Sequence, residues 1–97
     1  MPQHHVVPSS PETCHWGYFD AALAPVATIR SGDRVTFHCL SGGPDELPPP
    51  PFEVLPEHRL VHQRLQPKLG AHILTGPVAV EGAEPGDSLE IRIIDIE

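Results

Sequence analysis

Four consecutive prolines, Pro48 to Pro51, set the firmest limit on how this chain folds. Each lacks a backbone N–H and fixes φ near −65°, so the run enters neither a helix nor the middle of a sheet. It reads as polyproline II or a rigid surface loop, within an irregular segment from about residue 41 to residue 56. Prolines number 13 and glycines 8 in 97 residues, and hydrophobic residues are only 39%, below the usual ~45–50%. The apolar side chains of a core must therefore come from a few short segments. A chain of this length makes one small domain and buries roughly 60–65% of the surface that its unfolded form exposes.

Those segments read mostly as strands. Residues 1–12 are polar and proline-containing and form an extended N-terminal arm; residues 13–97 form a single β-rich domain. Pro25–Ile29 is a short β-like run. Arg34–Cys39 alternates cleanly, with Val35, Phe37 and Cys39 on one face. Glu57–Leu65 carries Leu60, Val61 and Leu65 and suits a short amphipathic helix. Lys68–Gly76 is loop-like, Pro77–Val80 is a second short strand, and 88–96 is a final strand in which Leu89, Ile91 and Ile93 alternate with Ser88, Glu90 and Arg92. Two stretches share one plan: PVATIRSGDRVTFHC (25–39) and PVAVEGAEPGDSLEIRI (77–93). Each opens on Pro-Val-Ala, passes a Gly-Asp turn and enters an alternating strand, so each reads as a β-hairpin-like unit. The glycine supplies positive φ and the aspartate accepts backbone N–H groups in the turn. With at most one short helix near 57–65, the fold class is all-β, in sandwich or jelly-roll-like layers.

The net charge of −7 argues against nucleic acid, whose phosphates call for a basic surface, and against an anionic membrane surface. No run of 18 apolar residues suits a transmembrane helix. The first 13 residues show neither a basic nor an apolar signal region, so the expected location is cytoplasmic. Cys14 and Cys39 form no CxxC pair and read as free thiols in a reducing compartment.

Seven histidines are the main candidates for chemistry. His4 and His5 fall in the arm and read as solvent-exposed. His58 and His62, four apart, share one helix face; they read as a solvated face or as a metal pair, with no HExxH motif beside them. His38-Cys39 ends a strand that resembles those of cupredoxins, but a blue-copper site needs two His, a Cys and an axial ligand. The only Met is Met1, and Cys39 reads as a small buried residue. His15 stands among Trp16, Tyr18, Phe19 and Asp20, which either line a pocket or anchor this segment to a sheet. His72 precedes Thr75 and Gly76, which allow close backbone approach to a ligand; otherwise it is a loop histidine bonded to backbone. No nucleophile elbow or phosphate loop is present.

Several stretches together resemble the acetamidase/formamidase family: TCHWGYFD (13–20), PVATIRSGDRVTF (25–37), LSGGP (40–44), EVLPEH (53–58) and, most specifically, HILTGPVAVEGAEPGDSLEIRIIDI (72–96). The resemblance runs from about Pro11 to the end and covers the N-terminal portion of a longer family pattern. It implies a cytosolic, β-rich, oligomeric amidase that hydrolyses short linear amides, formamide- or acetamide-like, to carboxylate and ammonia. It implies that most of the active centre lies beyond Glu97, so that this chain carries an incomplete catalytic set. From this chain, the expected contributors are His15, His72, Glu81 and Asp87, with His15 and His72 as donors to a divalent metal such as zinc. Asp87 also suits a plain turn role, and Glu81 a plain exposed one.

The expected function is thus an N-terminal segment or subunit of such an amidase, acting on a small amide and completed by another protein chain or a homo-oligomer partner. The alternative is a non-catalytic small β module that binds a partner protein. Ile93 faces one side of the final strand and Ile94 and Ile96 the other, which suits a strand covered on both faces. Part of that strand is expected to pack against protein outside this sequence.

Overall fold

The computed structural model describes residues 1–67, 70 and 72–97. Its strands are β1 (His4–Val7), β2 (Cys14–Trp16), β3 (Ala27–Ile29), β4 (Arg34–Phe37), β5 (Ile73–Thr75) and β6 (Val78–Val80). Among the described residues a 3-10 turn, Pro44–Glu46, and an α-helix, α1 (Pro56–Arg64), lie between β4 and β5. The fold is all-β with one short helix, as the composition and periodicity indicate. Pro48–Pro51 is exposed loop and turn, outside every helix and strand.

Among the described residues the strands pair two by two. β1 runs parallel to β4, with His4 opposite Arg34 and Val7 opposite Phe37. β2 runs antiparallel to β5, with Cys14 opposite Thr75 and Trp16 opposite Ile73. β3 runs parallel to β6, with Ala27 opposite Val78 and Ile29 opposite Val80.

The two Gly-Asp stretches do share one turn. Asp33 N–H donates to the Arg30 carbonyl at 3.0 Å, and Arg30 N–H donates to Asp33 Oδ2 at 2.9 Å. Asp87 N–H donates to the Glu84 carbonyl at 3.1 Å, and Glu84 N–H donates to Asp87 Oδ2 at 2.9 Å. Gly32 at φ 92° and Gly86 at φ 96° hold the third position of each turn. The hairpins expected from this plan do not form: β3 pairs with β6, and β4 with β1. The cause is the turn itself. Positive φ at the third position alone makes a type II turn, which splays the strands it joins. The two copies of the plan instead meet each other through β3 and β6.

Four expectations are corrected. Residues 4–7 of the expected arm form β1. Cys39 and Phe37 are exposed while Val35 is half-buried, because β4 belongs to a two-stranded sheet with no described layer over that face. Ile73–Thr75, expected in a loop, is β5; three residues are too few to show a period, and the strand exists through its pairing with β2. The remainder of that expected loop falls partly on Lys68, Leu69 and Ala71, which lie outside the described residues. Finally, 88–96 forms no strand. Alternation supplies a face but not a ladder, and no described segment runs beside it. Leu89, Ile91, Ile93, Ile94 and Ile96 are all exposed, so neither Ile94 nor Ile96 is buried among the described residues.

The core is small: Cys14, Trp16, Leu40, Val61 and Ile73 cluster, with Leu65 packed against them. α1 begins with Pro56 at its first turn, where the missing N–H costs nothing, and Glu57 favours that positive end. Its last turn closes on the Leu65 N–H to the Val61 carbonyl at 2.9 Å, and Pro67 forbids continuation. The helix delivers Val61, which is fully buried, onto Trp16 and Ile73 of the β2–β5 pair.

Candidate functional site

The β2–β5 pair brings together the two most chemically marked segments, CHWGYFD and HILTGPV. Alternation along β2 sends Cys14 and Trp16 into the core and His15 to the opposite face. His15 is half-buried and tightly held. Its Nδ1 lies 3.2 Å from the Gly76 carbonyl oxygen and its Nε2 lies 2.9 Å from the Tyr18 carbonyl oxygen. The Tyr18 ring stands edge-on to it, with centroids 5.3 Å apart. Gly76 is buried at φ 128°, a backbone conformation open only to glycine, and its N–H donates to the Thr13 carbonyl at 2.8 Å. That conformation aims the Gly76 carbonyl at the imidazole. A neutral ring donates to one carbonyl only, because a carbonyl cannot donate in return.

His72 is exposed and stands two residues before Leu74, the residue opposite His15. His15 is paired within the ladder, whereas His72 lies just before β5 and outside the paired residues. Glu81 belongs elsewhere: it follows β6, is exposed, and accepts from Arg30 Nε at 3.0 Å. Asp87 holds the second Gly-Asp turn, the plain turn role named above. Among the described residues no group of three or more His, Cys, Asp or Glu side chains is arranged to hold a metal ion. The one histidine nitrogen on a hydroxyl is the exposed pair of His4 Nε2 with Thr36 Oγ1 at 2.7 Å, again among the described residues. Cys14 and Cys39 are free thiols, the first buried and the second exposed.

The residue with the strongest electrostatic signature is Asp33. Its carboxylate accepts from Gln3 N–H at 2.9 Å through Oδ1, and from Arg30 N–H and His5 Nε2, each at 2.9 Å, through Oδ2. These bonds, those of the Gln3 and Arg30 backbone first, hold its pKa at about 2, below the ordinary 3.8. Asp33 thus fastens β1 to the turn before β4. Reading residues 1–12 as an arm missed this; the signal was an aspartate with a second oxygen left over after its own turn is satisfied. A recess of about 200 Å³ there is lined by Gln3, His5, Thr28, Arg30, Asp33 and Glu81, among others.

A family model described as acetamidase/formamidase matches residues 9–97. The chain belongs to the acetamidase/formamidase family. No curated protein and no solved structure gives a match. The matched range takes in both segments of the β2–β5 pair and both Gly-Asp turns, so the family pattern and the ladder holding His15 coincide. Membership supports an amidase-like function in general, with an amide as the substrate. Among the described residues no helix is long and apolar enough to cross a membrane.

Proposed function

We propose that this chain is an N-terminal segment or subunit of an amidase that hydrolyses short linear amides, formamide- or acetamide-like, to carboxylate and ammonia. The observation that carries this reading is the family match over residues 9–97, joined to a ladder on which His15 is locked between two backbone carbonyls. Amide hydrolysis needs an activated water or nucleophile, donors for the oxyanion, and an acid for the leaving amine. His15, with both nitrogens on backbone carbonyls, acts here as a positioning residue that fastens Gly76 and Tyr18 to the β2–β5 pair. His72 is exposed and precedes β5, the strand paired with that of His15. Glu81 and Asp87 act as supports of the β3–β6 side, Glu81 through Arg30 and Asp87 through its turn.

A divalent metal such as zinc would polarise the amide carbonyl. As folded, His15 and His72 do not fit that task, because both His15 nitrogens face carbonyls; coordination requires the release of Gly76 or Tyr18. The remaining catalytic groups come from another chain or a homo-oligomer partner, a reading supported by the uncovered row Leu89, Ile91, Ile93, Ile94 and Ile96. The two free thiols support a cytoplasmic setting. The same uncovered row favours the alternative of a non-catalytic β module that docks on a partner protein. Ammonia release from formamide and acetamide separates the two. The amidase reading expects none from the chain alone and turnover when the chain is combined with the product of the neighbouring reading frame. Binding of that product without turnover favours the docking module.

A further inference from the structure

Three ring nitrogens on α1 and β2 mark a second site, on the opposite face of β2 from His15. His58 and His62 lie one helical turn apart on α1, with ring centroids 4.5 Å apart, and the His62 ring lies 5.6 Å from the Trp16 ring. His62 Nε2 is 3.0 Å from the Gly42 carbonyl oxygen. A carbonyl only accepts, so Nε2 carries the hydrogen, and the neutral ring keeps its lone pair on Nδ1. That Nδ1, His58 Nε2 and Trp16 Nε1 are all buried with no hydrogen-bond partner among the described residues. Trp16 itself is only 4% exposed. Buried polar atoms without partners are rare, and a cluster of them points to a bound group.

We propose that His62 Nδ1 and His58 Nε2 bind a divalent transition-metal cation of the zinc and nickel class, and that the Trp16 N–H donates to an oxygen ligand on that cation. Imidazole pairs four apart on a helix are a chelating arrangement, and nitrogen donors select zinc, nickel or copper over calcium or magnesium. A metal-binding histidine characteristically donates its other N–H to a carbonyl, which fixes the ring; the bond from His62 to Gly42 does this. A lone water bridging Trp16 and His62 would satisfy those two atoms and leave His58 Nε2 without a partner. Beside the rings a shallow groove of about 430 Å³ is lined by Trp16, His62, Asp45 and Glu46, among others. Its two carboxylates draw cations toward the site, and its open side admits the oxygen ligand. Nothing in this inference depends on amide hydrolysis.

Trp16 is the only tryptophan, so its fluorescence reads the site directly. Titration of the full chain with nickel should quench that fluorescence with saturation at one equivalent, and zinc should compete for the same site. His58→Ala and His62→Ala should each weaken the quenching at least tenfold, while a His4→Ala/His5→Ala double variant should retain it. Because loss of the His62 bond to Gly42 can unfold the loop, imidazole nitrogen NMR of the unmodified chain provides a second reading. Zinc should move the His62 Nδ1 and His58 Nε2 resonances and leave His62 Nε2 protonated. Absence of saturable quenching, unchanged quenching in His62→Ala, or zinc-dependent shifts confined to other histidines would overturn the proposal.

Discussion

Replacing Val61 by Ala tests whether the core is the small cluster described. Val61 is fully buried and joins α1 to Trp16, Ile73, Leu40 and Cys14. The change removes two methyl groups, about 1.6 kcal/mol at ~0.8 kcal/mol per buried group. A cavity forms as well, since four of the five buried members are anchored by strands or a loop and collapse poorly; that adds about 1 kcal/mol. The expected loss is about 2–3 kcal/mol, or a fall in Tm of about 10–20 °C for a domain of this size. Urea unfolding followed by Trp16 fluorescence and by far-UV circular dichroism measures it. Ile93→Ala is the control: Ile93 is 77% exposed, so its truncation should change stability by no more than about 0.5 kcal/mol. If Val61→Ala costs no more than Ile93→Ala, the packing of α1 on the β2–β5 pair is refuted.

The turns and ion pairs set four further outcomes. Asp33 has a folded pKa of about 2 against an ordinary 3.8, so its stabilisation is complete above the ordinary value and is lost as pH falls from there through about 2. Acid unfolding of Asp33→Asn should lack that dependence, and a carboxyl NMR titration should find Asp33 near the lower value. Gly32→Ala meets no neighbour within 4 Å but must adopt φ 92°, which costs about 1–2 kcal/mol in backbone strain. Gly86→Ala at φ 96° should cost less in thermal unfolding, because the apolar side chains of the segment after it are exposed. Glu81→Gln breaks an exposed pair with Arg30, which should change stability by less than about 1 kcal/mol; a fall in amide turnover without a fall in stability would mark Glu81 as part of the site.

Periodicity made the helix and the short strands β3, β4 and β6 readable, because each carries its own local signal. The Gly-Asp turns were equally legible, down to the role of each aspartate. The pairing was not. Hairpins are the natural reading of strand–turn–strand, and only the positive φ confined to the third turn position shows that the strands must splay. β1 and β5 are defined by partners distant in sequence, through Asp33 and through β2, and so leave little trace in their own residues. The final segment errs in the other direction: its alternation is strong, but a strand exists only with a neighbour. At the candidate site, His15 and His72 were named from their neighbours; the fold puts His15 in the β2–β5 ladder and leaves His72 just outside it. The two carbonyls that hold His15 are backbone atoms, which no side-chain pattern reveals.

The most direct test of the proposed amidase function is ammonia release from acetamide by this chain combined with the product of the neighbouring reading frame, for the wild type and for His15→Ala. The account predicts turnover by the combined wild type, none by the chain alone, and a clear loss in the variant, because His15 positions Gly76 and Tyr18 on the β2–β5 pair. Turnover that survives His15→Ala undiminished, in a variant whose circular dichroism matches the wild type, would contradict it.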